Sequence, residues 1–173
     1  MACAVIAPAA GARTFETRDE AFARLFPQDV VDRRTAFLTE QQMQQVQKNA
    51  RARLQQARIT YYVISRQDSV VGRAYLDTHP VRSMQETLLI LLTSTGQLVT
   101  VDVLAFHEPE DYLPRRAWYK RLPLLKEPTA AGAGDDVDAV SGATLTVQAT
   151  CEALRRVTNL DAILFPRKEP VSP

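Results

Sequence analysis

Glu86-Thr87-Leu88-Leu89-Ile90-Leu91-Leu92-Thr93 carries a five-residue apolar run bounded by polar residues. The run is too short for an ordinary helix and reads as a buried strand. Ser94-Thr95-Gly96-Gln97 follows as a hairpin turn, and Leu98-Val99-Thr100-Val101-Asp102-Val103-Leu104 returns with partial alternation. Upstream, Ile59-Thr60-Tyr61-Tyr62-Val63-Ile64-Ser65 is rich in β-branched and aromatic residues. Arg66-Gln67-Asp68-Ser69 is turn-like, and Val70 to Leu76 reads as the partner strand. Two hairpins predict an antiparallel β-sheet flanked by helices, an α+β fold.

The flanking helices come from both ends. Phe15 to Phe26 places Phe15, Phe22, Leu25 and Phe26 as apolar anchors and stops at Pro27. Val30-Val31 and Ala36-Phe37-Leu38 read as brief extended pieces. Thr39 and Gln42 fit a capping box ahead of a helix from Glu40 to about Gln56, with Met43, Val46, Ala50, Leu54 and Ala57 at helical spacing. Near the C-terminus, the loop-like stretch Ala131 to Asp136 gives way to Asp138-Ala139-Val140-Ser141-Gly142-Ala143-Thr144-Leu145-Thr146. Ser141 is the expected N-cap of a last helix, with Thr144 in its first turn and Val147, Thr150, Leu154 and Val157 as its inward stripe. Free N–H groups and the helix dipole favour an anion at such a terminus.

Composition narrows the function classes. The 173 residues are 46% hydrophobic and 24% charged, enough for one domain with a sizeable core. A net charge of +1 gives no reason to expect nucleic acid or an anionic membrane as partner. Cys3 and Cys151 are too few for a disulfide framework or a cysteine metal site. No apolar run approaches the ~20 residues that span a bilayer. Met1 to Ala12 is Ala-rich and ends Ala10-Gly11-Ala12, which reads as a residual signal-like leader or a disordered terminus.

The stretch from Asp138 to Thr144 resembles the flavinylation motif of the FMN-binding domain family, which includes the C and G subunits of sodium-pumping and Rnf-type redox complexes. In that family a flavin transferase joins the FMN phosphate to the motif threonine through a phosphoester. The resemblance implies Thr144 as acceptor, with Asp138, Ser141, Gly142 and Ala143 completing the pattern. Gly96 to Val103 and Leu104 to Pro109 resemble an upstream strand and loop of the same family, less specifically. The implied division is a leader at 1–12, an N-terminal helical segment at 13–58, an FMN-binding domain at 59–165 and a loose tail at 166–173. The implied function is an extracytoplasmic electron carrier with covalent FMN. Its partners would be the flavin transferase and redox proteins, including membrane-bound ones. Two alternatives are a flavin-free binding module of the same fold and a small flavin-dependent reductase. No G-x-G-x-x-G follows any expected strand, so nothing points to a nicotinamide site.

Several residues outside the motif have chemical potential. Trp118 and Tyr112 are candidate walls for a flavin ring, with Tyr119 a further aromatic. For Trp118 a role as core anchor is equally expected. His107 is a candidate site-lining residue. His79 and His107 sit at expected strand ends without metal-ligand spacing, and Asp77-Thr78-His79 has no activated serine or cysteine to serve. Cys151 reads as a small buried hydrophobe. Arg115, Arg116, Lys120 and Arg121 read as a solvated basic face that could steer an acidic redox partner.

Overall fold

A computed structural model of the chain describes residues 13–132, 134 and 137–166. The leader at 1–12 and all of the tail beyond Pro166 lie outside the described residues. Six strands form one antiparallel sheet, β1 (Arg13–Thr14), β2 (Val30–Phe37), β3 (Arg58–Arg66), β4 (Ser69–Pro80), β5 (Gln85–Thr93) and β6 (Leu98–Phe106). Their spatial order is β1-β6-β5-β4-β3-β2. Four α-helices accompany them: α1 (Arg18–Leu25), α2 (Glu40–Ala50), α3 (Arg116–Tyr119) and α4 (Thr144–Leu164). The α+β class and the two central hairpins are as the sequence implies.

The run at 88–92 lies in β5, inside the sheet, and both its faces are covered. Leu88, Ile90 and Leu92 join a core with Val147, Leu154 and Val157 of α4. Leu89 and Leu91 face the other way, into a smaller core with Ala21 and Phe22 of α1. A strand with helices on both sides has no solvent face, so its pattern is continuous rather than alternating.

The N-terminal third differs from the sequence expectation. Val30 to Phe37 is one continuous strand, paired with β3 along its whole length, rather than two brief pieces. It is an edge strand, and its Asp32, Arg33 and Arg34 are exposed, which protects an open edge from pairing with other chains. Helix α1 begins after Phe15, because Thr17 and Glu20 form a capping box. The Phe15 N–H instead donates to the Leu104 carbonyl. The expected Thr39–Gln42 capping box is present, but α2 ends at Ala50, where Arg51 turns left-handed at φ 49°. Leu54 and Ala57 therefore lie on the run that returns to β3.

Strand β4 is longer than its sequence suggests and continues through Asp77-Thr78-His79 to Pro80. Arg73, Tyr75, Asp77 and His79 alternate along it. Asp161 of α4 accepts two hydrogen bonds from the Arg73 guanidinium (2.5 and 2.7 Å) and one from the Tyr75 hydroxyl (2.7 Å). The guanidinium also lies 4.2 Å from the centroid of the Phe165 ring. Both charges are buried, and each is tolerated because the other is there.

Removing one partner of that pair strands the other in the core. Asp161→Ala is expected to destabilise the fold by about 3 kcal/mol, read as a lowered urea midpoint at unchanged slope. A loss below about 1 kcal/mol would place the pair with weak surface contacts.

Candidate functional site

The motif stretch leaves a loop, makes a tight turn at Ser141-Gly142 and enters α4 at Thr144. Gly142 has φ +83°, a left-handed conformation that side chains with a β-carbon rarely adopt. Space is not the constraint there, since an added β-carbon would stand 3.9 Å from the Asp111 carbonyl oxygen. The N-cap position is Ala143, not Ser141, and no side chain caps the helix. Ser141 is exposed in the turn, two residues before the N-cap position, too early to reach the first-turn N–H groups. The Val147 N–H donates to the Ala143 carbonyl and makes the first helical bond. The N–H groups of Thr144, Leu145 and Thr146 precede it and have no intrahelical acceptor. The first turn also contains no acidic residue.

The motif's two helical threonines have opposite environments. Thr146 is fully buried, and its hydroxyl donates to the Tyr112 carbonyl at 2.6 Å. Thr144 is exposed. This contrast follows from α4 lying on the sheet: residues two apart point to different sides of a helix. Of the two, Thr144 has the hydroxyl that another molecule can reach.

Two other contacts hold the approach to the helix. The indole N–H of Trp118 donates to the Asp138 carbonyl at 3.0 Å, and the Asp138 carboxylate pairs with Arg121. Trp118 is itself buried and meets Tyr119 edge-on, 4.9 Å between centroids. It acts as a core anchor that also lines a cleft of about 160 Å³ with Arg121, Leu122, Leu125, Val137 and Asp138. Tyr112 is half-buried in the turn at Glu110–Tyr112, with the Arg82 guanidinium 4.8 Å from its ring centroid. His107 is half-buried just past β6, its N–H donating to the Gln85 carbonyl. The structure thus ties Trp118, Asp138 and Tyr112 to the motif through hydrogen bonds. It shows no such bond from His107.

Sequence reasoning missed the polar groups beneath α4. Glu86 is fully buried and accepts from the Tyr119 hydroxyl (2.9 Å) and the Thr150 hydroxyl (3.3 Å). Its Oε2 lies 3.2 Å from His79 Nε2. His79 Nδ1 lies 2.8 Å from Asp77, which also binds Arg156 through two bonds at 2.6 and 2.9 Å. His79 is therefore an interior group of β4 rather than a turn residue. Burial disfavours its charge, but Asp77 and Glu86 outweigh that and raise its pKa from 6.5 to about 9. Burial acts against the Asp77 charge too, and His79 and Arg156 still lower its pKa to about 2. Burial pushes the Tyr119 hydroxyl well above its ordinary range and the Cys151 thiol up to about 11, which leaves Cys151 an unreactive thiol. Just past β6, Glu108 accepts from the backbone N–H groups of Met84, Ser83 and Arg82, which hold its carboxyl below the usual range. The alternation Arg73-x-Tyr75-x-Asp77-x-His79 is the signal that could have revealed this polar face.

Residues 84–159 match the family model described as FMN-binding domain. That segment runs from the turn before β5 to near the end of α4 and contains every motif residue. Comparison with curated proteins and with solved structures gave no match.

His79 contributes stability that is complete below its unfolded pKa of 6.5 and is lost as pH rises through about 9. The urea midpoint is expected to fall across that window, and His79→Gln should flatten the fall. An equal fall in the variant would assign it to other groups. Thr146→Val removes the bond to Tyr112 and leaves that carbonyl short of a donor, at an expected cost of about 1–3 kcal/mol, measured the same way.

Proposed function

From the FMN-binding domain at residues 84–159, we propose that the protein carries FMN covalently on Thr144 and transfers electrons outside the cytoplasmic membrane. One observation carries the choice of residue. Thr144 presents an exposed hydroxyl on the first turn of an uncapped helix, within a complete D-x-x-S-G-A-T stretch. The residues present suit the group. The unengaged N–H groups of Thr144, Leu145 and Thr146 and the positive end of the helix dipole favour a phosphate there. No first-turn carboxylate competes for them.

Attachment forms one bond, from Thr144 Oγ1 to the FMN phosphorus. The hydroxyl loses its proton, and the phosphorus releases the group it carried in the donor nucleotide. A flavin transferase catalyses that exchange in this reading, and it needs the exposed turn at Ser141-Gly142 to reach the hydroxyl. Bound flavin accepts one or two electrons and so links hydride donors to one-electron acceptors. The chain supplies position: Thr146, Trp118 and Arg121 fix the turn from which the tether leaves. Its partners are redox proteins, membrane-bound ones among them. Among the described residues no helix is long and apolar enough to cross a membrane.

The test is flavin fluorescence of the denatured protein on a gel, after co-expression with a flavin transferase. The parent should give a fluorescent band, and Thr144→Ala should lose it while keeping the parent's thermal stability. A dark parent would refute covalent attachment. A bright Thr144→Ala band would move the attachment to another hydroxyl.

A further inference from the structure

A second feature of α4 lies away from Thr144. A groove of about 610 Å³ runs along the helix face that carries Ala149, Glu152 and Arg156. Its other walls are the run from Arg53 to Thr60 and the second half of β4, from Tyr75 to Pro80. The volume suits a small molecule, within a range of roughly 300–1,000 Å³. Ala149 stands roughly 140° around the helix axis from Thr144, so the groove opens on a different side of α4 from the tether.

Its lining is amphipathic in a specific way. Ile59, Tyr75, Val157 and Leu160 are buried and form an apolar floor, with Leu54 half-buried beside them. The Asp77 carboxylate is already engaged by Arg156 and His79. Arg53 and Arg58 are exposed, and among the described residues neither guanidinium has an ion pair or hydrogen bond. Glu152, also exposed, is the remaining acid in the lining, so two unpaired cations face one carboxylate. A guanidinium offers a planar fork of donors that matches a carboxylate, sulfonate or phosphate.

We propose that this groove binds a small organic anion, its acidic group on Arg53 and Arg58 and its apolar body on the floor around Ile59, Tyr75 and Val157. The site does not depend on the flavin reading. Among the described residues no side-chain contact engages these two guanidiniums: α2 has ended at Ala50, and Arg58 opens β3 at the groove.

The probe is 8-anilinonaphthalene-1-sulfonate, an aromatic body with one sulfonate, set beside its uncharged counterpart N-phenyl-1-naphthylamine. Calorimetry on the full chain, with and without covalent flavin, gives affinity, and amide chemical shifts give location. The sulfonate is expected to bind one to one, with shifts centred on Thr60, Thr78 and Ala149. Arg53→Gln with Arg58→Gln, which leaves an exposed surface and an unchanged melting temperature, should weaken it about tenfold or more. The uncharged counterpart should bind more weakly to the parent and be indifferent to the double variant. Equal sulfonate affinity in parent and double variant would overturn the site, as would shifts centred on a separate cleft lined by Phe15, Val103 and Leu113. Sulfonate binding abolished by flavinylation would give the groove to the tethered flavin instead. Binding to a chain that takes up no flavin would uphold the groove while the covalent reading failed.

Discussion

Helix α4 is locked to the sheet by a file of polar contacts set into an apolar interface. Arg73 and Tyr75 hold Asp161, Asp77 holds Arg156, Glu86 meets Thr150, and Thr146 reaches the Tyr112 carbonyl. These contacts run from the last turn of the helix to its first. Apolar packing alone tolerates small slides, because one leucine contact resembles the next. Buried charges do not: a shift of one turn would leave Arg73 and Asp161 each unpaired, at a cost of several kcal/mol. The file therefore fixes both the axial position and the rotation of α4.

That rotation decides which threonine is available. With Thr146 turned down onto Tyr112, Thr144 must stand on the solvent side, and the same constraint exposes Ser141-Gly142 ahead of it. Trp118 and Arg121 then hold Asp138, so the entry loop is fixed at both ends. The motif aspartate contacts this chain's own cation, which accounts for its presence as a brace on the loop. A tethered group hanging from a fixed turn has fewer positions to sample than one on a loose loop, and pre-organisation of this kind lowers the cost of ordering it.

The hairpins, the Thr39–Gln42 capping box and the inward stripe of α4 were legible because each depends on local chemistry or a single period. Two features were not. The length of β2 depends on its pairing with β3, and a strand such as Val30–Phe37 with exposed charges carries little pattern of its own. The alternation of Arg73, Tyr75, Asp77 and His79 reads as polar outward positions, because buried charge is rare unless paired. The partners on α4 lie 79 to 88 residues away, as with Asp77–Arg156 and Arg73–Asp161. Ser141 was misplaced as a cap for a smaller reason: with the left-handed turn at Gly142, the N-cap falls two residues later, at Ala143.

Satisfied groups have little left to offer a ligand, since breaking their bonds costs as much as the new ones return. Among the described residues no buried side-chain nitrogen or oxygen lacks a partner. The capacity to bind something else therefore lies at the surface, in donors the fold has not engaged. Two groups of such donors lie along α4 or face it: the N–H groups of its uncapped first turn, and the guanidiniums of Arg53 and Arg58 across the groove. Both attract anions, and they open on different sides of the helix. The same file of buried contacts that makes the interior inert holds these two surfaces at a fixed angle to each other.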